Sequence, residues 1–327
     1  MIDRKRRALS FALLASLATG LARPVRAESV ARPYSVVDDR GVTLHFDTAP
    51  SRLAAISYFG ADTALALGVQ PIASTFLVRN RRPAHLLDRM DRVIDLGQRA
   101  SPNLELLASA HVDLVVAIRR YTEANAAQLR QIAPYLALDL ETGDDSDRSI
   151  ALVGAALGHA EAAAALNRRF ADVLAGFRTR AGSRRASRYL FVWGAGVAPW
   201  AFYDENMTCS LLNALGGVNI AGRNPLPSQR DNTAFQMSLE TLLLAKPDII
   251  FVYDDSGRRG FETNPVWQHL VSTRRVRIVS VGDHWIESLG PIARHAVLAE
   301  AAAFLHPEVF ALPDLREITL SYFRRVA

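Results

Sequence analysis

The chain has one cysteine, Cys209, among 327 residues. No intramolecular disulfide can form, so stability must come from apolar cores, in which a lone cysteine serves as a small buried group. Catalytic signatures are equally scarce. No G-x-S-x-G elbow is present, which leaves a serine hydrolase without its nucleophile. The eight histidines, at 45, 85, 111, 159, 269, 284, 295 and 306, form no i, i+4 pair. Only Asp283-His284 sets one beside a carboxylate, so no local zinc or manganese site is written in the chain. The run Gly194-Ala-Gly196-Val-Ala-Pro199 begins like a dinucleotide loop, but Pro199 takes the third-glycine place; it reads as a glycine-bearing turn beside a cleft.

Long apolar runs and an excess of one charge are also missing. The uncharged stretch from Ala8 to Ala22 falls short of the ~20 residues a membrane-spanning helix needs. It follows Arg4, Lys5, Arg6 and Arg7 and precedes Val25-Arg-Ala27, so residues 1–27 read as a secretory signal peptide. The Arg6-Arg7 pair resembles a twin-arginine export signal, with Ser10 where a lysine is common. The region has no cysteine to carry a lipid, and a soluble periplasmic protein is expected. Of 38 basic and 33 acidic residues, six and one fall within the first 27, leaving 32 of each. A neutral mature chain offers no phosphate-binding field, which argues against nucleic acid as a partner.

What is present is a motif written twice. Asn103-Leu-Glu-Leu-Leu and Ser238-Leu-Glu-Thr-Leu each join a polar cap to a short apolar helix, then an aspartate before a β-run. Glu105 precedes Asp113, and Glu240 precedes Asp248, by the same eight positions. Strand-like runs alternate with helical ones around both copies, which predicts two α/β lobes with mainly parallel sheets covered by helices. Gly68 and Gly216 are placed to close the two opening helices. Apolar positions from Ala160 to Ala181 recur at helical spacing, and 22 residues would span roughly 33 Å, enough for a rigid helix joining the lobes. The expected division is residues 28–158, 159–183 for the connecting helix, and 184–327.

In parallel α/β sheets a ligand lies beyond the carboxyl ends of the strands. Tyr58, Arg99, Arg120, Tyr121, Trp200, Tyr253 and His284-Trp285 follow expected strands, and together they would give a cleft combining ring surface with guanidinium donors. Trp193 and Phe59 read as core. Glu105 and Glu240 fall in first helical turns, where the helix dipole favours an acid by ~0.3–1 kcal/mol. Two acids at matching places also suit basic pockets on a symmetric dimeric membrane partner.

These residues resemble a family: the periplasmic ferric-hydroxamate siderophore-binding proteins of ABC importers. The likeness rests on Arg52-Leu-Ala-Ala-Ile to Ala66-Leu-Gly-Val-Gln-Pro71, Val93-Ile-Asp-Leu-Gly-Gln-Arg-Ala-Ser-Pro-Asn-Leu-Glu-Leu-Leu107, Gln131-Ile-Ala-Pro134 and Asn264-Pro-Val-Trp-Gln268. The resemblance implies that Arg99 contacts oxygens around the chelated iron and that Tyr121 and Trp285 flank the siderophore. It implies that Glu105 and Glu240 meet arginines on an inner-membrane permease dimer, and that the protein is a monomer without cofactor, enzymatic activity or metal ligands of its own. The chain departs from the pattern where relatives carry a tryptophan before Ser238-Leu-Glu; Phe235 or Asn232 stands nearby. Arg120 and Arg230 exceed what a neutral hydroxamate complex requires, which keeps carboxylate or mixed siderophores in view. The alternatives are a haem or corrinoid carrier, with Tyr58 or His284 as axial candidates, and an enzyme acting on the siderophore, for which no nucleophile or redox site is found.

Overall fold

The computed structural model describes residues 32–324, apart from 185, 186, 195, 230–232, 256, 258, 274 and 275. The signal sequence expected at 1–27, Arg230 and Asn232 lie outside the described residues.

The first sheet has five strands in the order Ile94–Asp95, Ala73–Ser74, Leu53–Ile56, Leu114–Ile118 and Tyr135–Leu138. Every neighbouring pair is parallel. Its three longer strands are apolar and buried along their whole length, as both faces of a helix-covered parallel sheet must be. The second sheet centres on Arg188–Trp193, with Ile249–Tyr253 and Arg277–Val281 parallel on one side. On its other side Trp200–Phe202 pairs antiparallel with it, and Ala234–Gln236 pairs antiparallel with Trp200–Phe202.

The doubled motif occupies equivalent places. Asn103 and Ser238 accept the Leu106 and Thr241 amides at 2.9 and 3.1 Å, starting the helices Leu104–Ser109 and Leu239–Ala245. His111 and Lys246 leave them at φ 50° and 49°, the same left-handed step. Asp113 then accepts the Arg52 amide and Asp248 the Arg188 amide, both at 2.8 Å, so each aspartate anchors the start of its sheet's central strand. Gly68 and Gly216 have φ 82° and 86°, the left-handed closure expected of them.

The helix Ala160–Ala181 has the predicted 22 residues. It runs so close to Gly143–Ala156 that a Cβ on Gly154 would lie 2.3 Å from that of Ala163. A later helix, Pro291–Leu305, is buried on most of its surface and packs on both opening helices, Tyr58–Ala66 and Met207–Ala214, and on the long helix. Asp62 of the first lobe accepts the Ile292 and Ala293 amides at 2.8 Å each. The last helix, Leu315–Phe323, packs on Pro291–Leu305 and, in the first lobe, on Tyr58–Ala66 and the 3-10 segment Ala84–Met90. One apolar cluster extends from Leu53 and Phe59 through Phe191 and Phe251 to Phe310 and joins both lobes. Among the described residues no helix is long and apolar enough to cross a membrane.

Candidate ligand cleft

Strand ends from both lobes deliver the cleft. In the first lobe, Leu114–Ile118 runs straight into the helical turn Arg119–Thr122, which presents Arg120 and Tyr121. The small hairpin of Gly97–Gln98 and Ser101–Pro102 holds Arg99 at its tip. In the second lobe, Arg188–Trp193 turns back through the glycine-bearing loop into Trp200–Phe202, which pairs Trp193 with Trp200. The two indoles are 37% and 44% exposed. Arg99, Arg120, Tyr121, Trp193, Trp200 and Glu287 line a space of about 420 Å³, with Ile118, Leu140, Phe202, Ile286 and Leu289 as apolar wall. Past Arg99, Trp193 and Ile286 a further compartment of about 320 Å³ continues to Arg79, Gln98 and Asp255.

The charged groups are held in fixed arrangements. The guanidinium carbons of Arg99 and Arg120 lie 3.7 and 4.5 Å from the Tyr121 ring centroid. Arg120 also donates to the Tyr121 hydroxyl at 2.5 Å. Such cation–π contacts contribute ~0.5–2 kcal/mol, more as water is excluded. Arg99 pairs with Glu287 and Arg120 with Glu141. The other oxygen of Glu287 accepts the Tyr58 and Phe59 amides at 2.6 and 3.3 Å, at the start of the helix Tyr58–Ala66. The site therefore offers guanidinium donors whose charge is largely compensated, opposite two indoles. It can hold an oxygen-rich ligand by N–H donation and ring contact.

Four of the eight expected ligand residues meet here: Arg99, Arg120, Tyr121 and Trp200. Tyr253 is 2% exposed, its hydroxyl donates to Asp283 at 2.6 Å, and it lines the further compartment, not the 420 Å³ space. Burial, then the bonded Asp283, pushes that phenol well above its ordinary range. Three expectations need correction. Trp285 is fully buried, 4.8 Å from the Phe251 ring, and its indole N–H donates to Glu300 at 2.7 Å, so it belongs to the core. Tyr58 is 1% exposed and its hydroxyl accepts the Leu77 amide at 3.0 Å. Phe235 is half-buried and stacked on Tyr203 at 4.9 Å, while its neighbours Thr233 and Ala234 face the cleft. The two axial candidates for haem fare no better, since Tyr58 is committed as above and His284 is buried with Nε2 2.7 Å from Glu300. Trp193, read from sequence as core, is in the cleft, whereas Phe59 is core as expected. Glu287 escaped notice because nothing local distinguishes it; only the fold brings it to Arg99. Glu105 and Glu240 are both exposed, each at the second position of its helix.

Two lobes enclosing such a cleft define a ligand-capturing protein. The chain belongs to the periplasmic binding protein family, whose model matches residues 53–283. It is a substrate-binding component and not an enzyme. The Fe(3+) dicitrate-binding periplasmic protein FecB of Escherichia coli (strain K12) is 25% identical over 289 residues, covering 83% of this chain and 90% of that protein. The putative ABC transporter substrate-binding lipoprotein YhfQ of Bacillus subtilis (strain 168) is 24% identical over 246 residues, 71% of this chain and 76% of the relative. Among solved structures, Staphylococcus aureus SirA complexed with staphyloferrin B superposes with a TM-score of 0.65 at 22% identity, over 81% of this chain and 96% of SirA, which shows the shared fold.

Proposed function

We propose that the protein captures a ferric siderophore of hydroxamate-like, low net charge in the inter-lobe cleft and delivers it in the periplasm to an inner-membrane ABC permease dimer. The observation that carries this reading is the Arg99–Tyr121–Arg120 stack, with both guanidiniums already paired to carboxylates, set opposite Trp193 and Trp200. Compensated guanidiniums still donate to chelate oxygens but ask for no anion in return. This removes the objection that Arg120 carries charge a neutral complex does not need. The Fe(3+) dicitrate in the name of FecB supports a ferric chelate as the ligand. Glu105 and Glu240, one exposed acid per lobe at matching positions, are the proposed contacts to basic pockets on the two permease subunits. No second reading is favoured, because neither axial candidate for haem is open to the cleft.

Intrinsic fluorescence tests this. Trp193 and Trp200 line the cleft, while Trp267 and Trp285 are buried elsewhere. Ferrichrome, as a ferric hydroxamate, is expected to quench the purified protein at micromolar or lower concentration, and the paired variant Trp193→Phe, Trp200→Phe to lose most of that quenching. Absence of quenching by any ferric chelate, with a Soret shift on adding haem, overturns the reading.

A further inference from the structure

We propose that Glu287 determines which charge class of ferric chelate the cleft accepts; this deepens the ferric-chelate reading and rests on it. Among the described residues Glu287 is the one acidic side chain lining the 420 Å³ space. Its side chain is 4% exposed. It arises from the second lobe, in the turn that follows Asp283–Trp285, yet its carboxylate finds its partners in the first: the Tyr58 and Phe59 amides on one oxygen and Arg99 on the other.

Two consequences follow from that placement. A carboxylate gripped by two backbone amides at a helix start cannot swing aside when ligand enters, so its negative charge stays at the cleft floor. Arg99, stacked on Tyr121 and tied to this carboxylate, then acts on a ligand as half of a dipole and not as a free cation. A neutral tris-hydroxamate complex loses nothing by this, since it needs only N–H donors. A multiply charged chelate such as ferric dicitrate finds the guanidinium's attraction offset by the carboxylate beside it. Glu141 does the same for Arg120 from outside the lining, so the cleft presents two compensated donors. Specificity here comes from a repulsive element built next to an attractive one.

The test compares Kd for ferrichrome and for ferric dicitrate in wild type, Glu287→Gln and the double variant Glu287→Gln, Arg99→Gln. Glutamine keeps the shape and an oxygen acceptor for the two amides but removes the charge. The expected result is a shift of the dicitrate-to-ferrichrome affinity ratio toward dicitrate on the order of tenfold in Glu287→Gln. That gain should be eroded by added salt, and the ratio should return toward wild type in the double variant. An unchanged ratio in a Glu287→Gln protein that unfolds at the wild-type temperature overturns the proposal. If Glu287→Gln does not fold, Glu287→Asp serves in its place: it retains the charge, so both affinities should fall while the ratio holds, and a changed ratio overturns the proposal. A wild-type protein that binds neither chelate is a different failure, because it removes the ferric-chelate reading and this inference with it.

Discussion

Replacing Trp285 by phenylalanine separates a core role from a ligand role. The indole is fully buried between Phe191 and Phe251, and its N–H is donated to Glu300 at 2.7 Å. Phenylalanine removes that donor and leaves Glu300 with His284 as its remaining short partner. A hydrogen bond to a carboxylate contributes ~1.5–3 kcal/mol. The smaller ring adds a cavity term of about 24 cal/mol per Å³ left unfilled. Together these give a destabilisation of about 2–4 kcal/mol. For a chain of this length each kcal/mol lowers Tm by roughly 2 °C, so thermal unfolding should fall by about 4–8 °C. Ferrichrome affinity, measured by quenching of Trp193 and Trp200, should change less than about threefold. A variant with wild-type Tm whose affinity falls more than about tenfold would refute the core assignment and return Trp285 to the cleft.

Two other outcomes are expected. Glu105→Ala together with Glu240→Ala should leave ligand affinity and Tm intact, because both acids are exposed, yet abolish uptake of the ferric chelate by cells; undiminished uptake removes the docking proposal. His295 packs edge-on to Tyr322, and burial, aided by Arg169 and Arg294, lowers its pKa to about 4. The unfolded chain therefore takes up a proton there between about pH 6.5 and 4 that the folded chain refuses, so stability falls as pH drops through that window. His295→Gln should flatten part of this acid limb in urea unfolding curves, and an identical limb excludes His295 as its source.

The fold was legible because its signals are local and repeated. The capped Leu-Glu helices, the aspartate that anchors each central strand, the glycines at 68 and 216 and the long apolar stripe over Ala160–Ala181 need only their own neighbours to be read. The cleft was half legible. Position after a strand places a residue near the ligand edge, but which way its side chain turns depends on what covers that edge. Trp193 pairs with Trp200 across a hairpin whose end is open, so its ring stays half exposed. Trp285 lies under Pro291–Leu305 and finds Glu300 on that helix, so its ring is sealed. Nothing in either tripeptide distinguishes the two. Glu287 was invisible for the same reason, since its partners lie 188 to 229 positions away in sequence.

The apolar cluster that runs unbroken from Leu53 to Phe310, stitched by the helix Pro291–Leu305 resting on both lobes, makes the molecule a single melting body. Neither half can shed its native packing while the other keeps its own, so the slowest-exchanging amides of both sheets should report one shared opening event. Calorimetry should record one endotherm, not two.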